Sequence, residues 1–382
     1  MDLLQAIALV NVLNLGVDAR DMFAPNPRGV GKALRTLFKY LLPLMRDWRV
    51  NFYTNRQGEA SYGYDSRVRW IDIRGDRFNT WENIRLPLAS FTDRIGILHC
   101  PSQTAPPLTT CPVVLTVHDL IPLRIDDGGS PAEVRRFRKT LGRSIAKARR
   151  VITVSEFTRQ DLLAEFGVPE EKVDVVWWGV ENLADCLPTT DDVWTSLRDL
   201  HGIRFPFFLA FGGEAPRKNV PRMLEAFSRF TRAATDEFQF VLLGVTPLAK
   251  RRFHPIIDKL GLSKKVILLE YLDDMTVLEL MRRAEALIYT SLYEGFGLPI
   301  VEAMSVGTPV VTSNVTSLPE IAADAAILVD PNDPGAIADA MKDCFIKTGL
   351  RAELKDRGLR RVKDFSWENV ARQTLKVYQR AL

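Results

Sequence analysis

Cysteine is scarce and scattered: Cys100, Cys111, Cys186 and Cys344 are the four in 382 residues, and no two form a C-x-x-C pair. This spacing signals neither a zinc site nor a disulfide framework, and it fits a reducing cytoplasm. An excess of charge of one sign is also lacking. The formal net charge is +4, so the chain as a whole is not a polyelectrolyte designed for nucleic acid. Long apolar runs are missing too. The opening "MDLLQAIALVNVLNLGVDAR" has an acid at position 2, no basic leader, and Gln5, Asn11 and Asn14 inside the run. It is too short and polar to span a bilayer and makes a poor secretion signal. Its second half reads as a buried first strand.

What is present is the composition of a soluble globular enzyme, 46% hydrophobic and 26% charged, on a chain long enough for two domains. In the C-terminal half, apolar β-rich runs alternate with helical patterns: "FFLAFGG", "FQFVLLG", "KVILLEYL", "ALIYTS", "TPVVTSN" and "AILVD", each followed by a helix. Continuous apolar strands with intervening helices predict a parallel sheet covered on both faces, an α/β Rossmann-like domain. The N-terminal half repeats the theme with "LNLGVDAR", "VNFYTN", "VRWIDI", "GILHC", "VVLTVHD", "RVITVS" and "VDVVWWG". Ser155 is the expected cap of the helix after "VITVS", with Glu156 in its first turn. The polar stretch at 183–205 is the expected boundary, giving domains 1–190 and 200–365 and a final amphipathic helix, 366–382. Two such sheets facing across a cleft would bind ligand in the loops at the carboxyl ends of their strands.

Basicity is local. Residues 131–150, "PAEVRRFRKTLGRSIAKARR", carry Arg135, Arg136, Arg138, Lys139, Arg143, Lys147, Arg149 and Arg150 against one acid, Glu133. Such a helix is either a solvated face or a surface drawn to anionic lipid head groups or a phosphorylated carrier.

Four loops could carry chemistry. In "NPRGVGKALRTL", Gly29 and Gly31 precede a helical run, so they either expose amides to a phosphate or only connect two elements. In "LTVHDLIPL", His118 ends an apolar strand. It can hydrogen-bond a hydroxyl or donate a proton there, or be a buried histidine satisfied by backbone. In "FGGEAPRKNVPRMLEAF", the turn Gly212–Gly213 lets a ligand approach the backbone, Arg217 and Lys218 follow, and Asn219 is the expected cap of the next helix. A guanidinium and an ammonium at the mouth of a sheet suit a diphosphate, though basic residues before a helix are also common on surfaces. The fourth loop is "YTSLYEGFGLPIVEAMSVGTPVV". Glu294 lies in a loop at a strand's end, Gly295 and Gly297 bare their amides, Pro299 suits a helical first turn, and Gly307 suits its exit. Glu302 follows on the helix.

These motifs resemble the retaining GT-B glycosyltransferases of family 4. "GGEAPRKN" and "SLYEGFGLPIVEAMSVGTPVVTSNVTSLPEIAADAAILVDP" carry the resemblance, and "RGVGKAL" and "TVHDLIP" extend it over nearly the whole chain. Within that family the pattern looks most like bacterial mannosyltransferases of polysaccharide and O-antigen assembly. The resemblance implies a GT-B fold whose final helix crosses back to the N-terminal domain. It implies that Glu302 accepts from the nucleotide ribose and that Glu294, with the amides of Phe296 and Gly297, holds donor-sugar hydroxyls. Arg217, Lys218 and the amides near Leu298 would bind the diphosphate, His118 would contact the sugar near its O6 side, and Gly29 and Gly31 would let backbone approach the phosphates. Arg28 stands where the family usually has a small residue.

The implied reaction moves a hexose, first of all mannose from GDP-mannose, to a saccharide or polyprenyl-diphosphate-linked acceptor, with UDP- or dTDP-sugars as the alternative donors. No D-x-D triplet occurs, so no metal and no separate cofactor are expected. The expected location is cytoplasmic, peripheral at the inner face of the plasma membrane. A glycoside hydrolase would instead need both carboxylates around one bond, about 5 to 9.5 Å apart. A sugar phosphorylase, an epimerase or a non-catalytic binding module are further alternatives.

Overall fold

The computed structural model describes residues 13–22, 29–55, 65–74, 80–181, 191–204, 206–234 and 237–382. The chain forms two compact units, one from Met1–Leu120, Ser130–Gly179 and Trp367–Leu382, the other from Ile121–Gly129 and Val180–Ser366. The division therefore falls at Gly179, ahead of the polar stretch read as the boundary, and residues 121–129 join the second unit although both their flanks belong to the first.

The first unit holds strands β1 (Leu13–Asp18), β2 (Trp48–Thr54), β3 (Val68–Asp72), β4 (Ile97–Cys100), β5 (Val113–Val117), β6 (Arg150–Thr153) and β7 (Val173–Val175). They run in the order β3-β2-β1-β4-β5-β6-β7, every pairing parallel. β4 and β5 are buried along their whole length, as strands covered on both faces must be. One cover is the helix Val30–Leu41, whose Leu34, Leu37, Phe38 and Leu41 recur at helical spacing and enter the core. The C-terminal helix Trp367–Ala381 joins the same core through Val370, Val377 and Tyr378. The helix Glu156–Phe166 starts on Ser155, whose side chain accepts from the amide of Thr158, as its sequence predicts.

The second unit holds β8 (Phe207–Phe211), β9 (Gln239–Leu243), β10 (Val266–Leu268), β11 (Leu287–Tyr289), β12 (Val310–Ser313) and β13 (Ile327–Val329). Their order is β10-β9-β8-β11-β12-β13, again all parallel. Phe208, Phe227, Phe230, Phe238 and Phe240 form its aromatic core, with Phe230 and Phe238 edge to face at 4.7 Å. Two of the longer helices of this unit lie where no helix was expected. Asp191–His201 occupies the second part of the polar stretch, and Thr348–Arg361 follows the last predicted helix of the sheet.

Candidate functional site

In the second sheet the chain runs outward in opposite directions from β8 and β11, which are neighbours. Loops leaving the carboxyl ends of two such strands diverge and open a crevice, the usual ligand position of a parallel sheet. The loop after β8 begins with Gly212, whose amide donates to the carbonyl of Leu243 at 2.7 Å. A Cβ there would lie 2.8 Å from Val245 Cγ2, and Gly213 follows at φ +138. Both positions therefore require glycine, the first for space and the second for its dihedral. A single 3-10 turn, Pro216–Lys218, then presents Arg217 and Lys218.

Asn219 does not cap the helix Val220–Ala233 with its side chain. Its Nδ2 donates instead to the carbonyls of Thr290 at 2.9 Å and Pro331 at 2.7 Å. The left-handed backbone at Asn219 (φ 60, ψ 24) and two carbonyls needing a donor turn the amide away from the helix. Asn219 thus ties together the loops after β8, β11 and β13.

The loop after β11 carries Glu294, which is buried. One carboxylate oxygen, Oε1, lies 2.8 Å from Lys218 Nζ and 2.9 Å from Arg217 Nη1. Lys218 Nζ also reaches the hydroxyl of Tyr289 at 3.0 Å. The other edge of Arg217 is held by Asp127, whose Oδ2 accepts from Nε at 3.0 Å and whose Oδ1 accepts from the Arg217 amide at 3.2 Å. The loop's backbone is fixed from β12's side, where the Ser317 hydroxyl lies 2.9 Å from the carbonyls of both Glu294 and Phe296. Gly297, at φ 113, starts the helix Leu298–Ser305 with no side-chain cap and with Pro299 in its first turn. Phe296 is buried, and Leu298 and Glu302 are partly exposed.

Burial alone would raise the carboxyl of Glu294, but Lys218 and then Arg217 outweigh it and hold it below the usual carboxylate range. Burial pulls Lys218 down, while Tyr289 and Glu294 together raise it above an ordinary lysine. Burial pushes the Tyr289 phenol up to about 12. At neutral pH Lys218 and Glu294 therefore meet as an ammonium and a carboxylate, and Glu294 has no proton to donate as a glycosidase acid must.

The remaining predicted residues belong to the first unit. Gly29 starts the helix Val30–Leu41 at φ 42 without a side-chain cap, and Gly31 is buried in its first turn. A Cβ at Gly29 would meet no described protein atom within 4 Å, so within the protein it is the positive φ and not crowding that favours glycine there. His118 follows β5, with Nε2 2.6 Å from the Pro101 carbonyl, which assigns the ring hydrogen to Nε2. Its Nδ1 is buried without a hydrogen-bond partner among the described residues. Burial, partly offset by the bond to Pro101, brings His118 down to about 4. Arg28 lies outside the described residues. Sequence reasoning did not select Asp127, Tyr289 or Ser317. Tyr289 and Ser317 sit within quoted motifs, whereas nothing in "RIDDGGS" signals an acid for a loop ninety residues away.

Two parallel-sheet Rossmann-like domains, with paired Arg217, Lys218 and Glu294 at the switch point of the second sheet, define the class: a GT-B glycosyltransferase. The family models agree, with Glycosyltransferase Family 4 matching residues 27–182 and Glycosyl transferases group 1 matching 202–361. The chain is 30% identical over 272 residues to O-antigen chain mannosyltransferase B of Escherichia coli, covering 70% of each. It is 32% identical over 289 residues to the MMP alpha-(1->4)-mannosyltransferase of Mycolicibacterium hassiacum, covering 71% of this chain and 66% of that one. Among solved structures, Anabaena Alr3699/HepE in complex with UDP and glucose has a TM-score of 0.74 at 18% identity, over 97% of this chain and 100% of that one. The chain belongs to glycosyltransferase family 4, and it is a glycosyltransferase.

Proposed function

We propose that this chain is a retaining α-mannosyltransferase that moves mannose from GDP-mannose to a saccharide or polyprenyl-diphosphate-linked saccharide in O-antigen or related surface-polysaccharide assembly. The observation that carries the donor reading is the convergence of Arg217, Lys218 and Glu294 beside the Gly212–Gly213 turn. The leaving nucleoside diphosphate gains charge as the glycosidic bond breaks. Arg217, Lys218 and the amino end of the helix Leu298–Ser305 stabilise that charge in a preorganised way. Glu294 accepts from donor-sugar hydroxyls and Glu302 from the ribose. The acceptor's proton passes to a donor phosphate oxygen, and no metal is needed because fixed cations supply the positive charge. The names of the relatives support mannose.

Two experiments test this. A thermal-shift screen with GDP, UDP, ADP and dTDP should show the largest stabilisation with GDP; a larger shift with UDP moves the donor to a UDP-sugar. Lys218→Ala and Glu294→Ala should lose transfer by about a hundredfold or more with the fold intact, and Glu302→Ala should mainly raise the donor KM. Full activity in either of the first two variants overturns the site.

An anionic membrane surface is the proposed second partner. Arg135, Arg136, Lys139 and Arg143 are exposed on the helix Pro131–Lys147, and among the described residues no helix is long and apolar enough to cross a membrane. Each such cation contributes about 1 kcal/mol near an anionic surface. Failure to sediment with phosphatidylserine vesicles at low salt removes this partner.

A further inference from the structure

The second unit recruits a segment from far upstream, Ile121–Gly129, and that segment delivers Asp127 to Arg217. Gly128, at φ 90, and the Asp126 carboxylate, which accepts the Gly128 amide at 3.1 Å, shape the turn that presents it. The carboxylate of Asp127 takes the Arg217 amide and Nε together, a donor pair equally suited to two oxygens of a phosphate. The crevice then contains two cations, Arg217 and Lys218, and two carboxylates, Glu294 and Asp127, whose formal charges sum to zero. Each cation that would face a diphosphate is thus paired with a carboxylate. Glu294 has a task at the sugar; Asp127 makes contact with Arg217 and has none in the proposed chemistry. The side chains of Asp127 and Arg217 keep 20% and 19% of their exposure, enough for one anion to replace another.

We infer that Asp127 is a resident counter-ion of the donor-phosphate site. Its carboxylate yields Arg217 to the diphosphate when the donor binds and reclaims it as the nucleoside diphosphate leaves. The inference rests on the donor reading given above. Two anions on one guanidinium repel, so each weakens the other's hold. Asp127 therefore lowers the affinity for donor and product alike and speeds product release, a step that often limits turnover.

The test is calorimetric titration of GDP and UDP into the full chain and into Asp127→Asn, which removes the charge and keeps the shape. Asp127→Asn should bind the preferred nucleotide about tenfold more tightly, the equivalent of 1.4 kcal/mol, with lower donor KM and lower kcat. Asp127→Glu, which restores the charge, should return towards wild-type affinity. A purely structural role would leave affinity unchanged or weaken it. If wild type binds a nucleotide and Asp127→Asn binds it equally or less tightly, the counter-ion role is overturned and the donor site stands. If neither binds, the donor reading falls and takes this one with it. Should Asp127→Asn fail to fold, Asp127→Ser is read in the same way.

Discussion

Arg20 shows what one charge contributes in the first unit. It is buried with its Nη2 2.6 Å from Asp18 and 3.0 Å from Glu82, and its guanidinium lies 4.2 Å from the centre of the Trp81 ring. Burial works against the cation, but Asp18 and then Glu82 outweigh it and raise its pKa. Removing the arginine leaves two carboxylates buried near one another without their shared counter-charge. Arg20→Met should therefore lower stability by about 3–5 kcal/mol, although methionine fills much of the volume. An unfolding free energy from urea titration within about 1 kcal/mol of wild type would show that water enters and solvates the acids. The contrast with Lys218 and Glu294 is instructive. Those groups are also paired, Glu294 buried and Lys218 partly so, yet they stand at a sheet's switch point, where open parallel sheets bind ligands.

At the scale of elements, close approaches set what each junction tolerates. Gly179 leads out of the first unit, and a Cβ there would stand 2.6 Å from the Trp367 ring at the start of the C-terminal helix. Gly179→Ala should cost about 1–3 kcal/mol by overpacking, with faster proteolysis of the C-terminal helix as the specific sign; unchanged protection would mean the ring simply shifts. The inner strands were legible because β5 (VVLTV), β8 (FFLAF) and β9 (QFVLL) are nearly continuous apolar runs, as a two-sided cover demands, whereas the edge strand β3 (VRWID) is half exposed and more polar. The helix Thr348–Arg361 was not: it buries only Leu354 and Gly358, too few apolar positions to write a period into the sequence. Glu294, Arg217 and Lys218 were legible as residues at strand ends, since loop chemistry is local. Their partners were not, because Asp127 arrives from a distant segment and Asn219 spends its side chain on two carbonyls rather than on a cap. The expected cap failed where a tertiary demand outweighed a local preference.

At the scale of the whole molecule, pH should act on the two units unequally. His99 is buried in the first unit between Thr116 Oγ1, 2.9 Å from Nε2, and the Tyr378 hydroxyl, 2.8 Å from Nδ1. Burial, reinforced by nearby His118, brings it down to about 3. His118, also in the first unit, is brought down to about 4, with the nearby Asp21 carboxylate offsetting a small part of the burial. Both folded values lie below the ordinary 6.5. Above that value neither state binds the proton, and stability is complete. As pH falls below it, the unfolded chain takes up protons that the fold refuses, so each histidine removes about 1.4 kcal/mol per pH unit until its folded value is reached. In the second unit the carboxyl of Glu294 is lowered, so its contribution is lost only below the ordinary carboxylate range, as pH falls through its folded value. Acidification from pH 7 to 5 should therefore loosen the first unit before the second. Hydrogen exchange at pH 5 should show lost protection in β1, β4 and β5 while β8 and β11 stay protected, and His99→Gln should flatten the pH slope of the urea midpoint between 6.5 and 5 by one proton. Equal loss of protection in both sheets would mean that the buried histidines do not control acid stability.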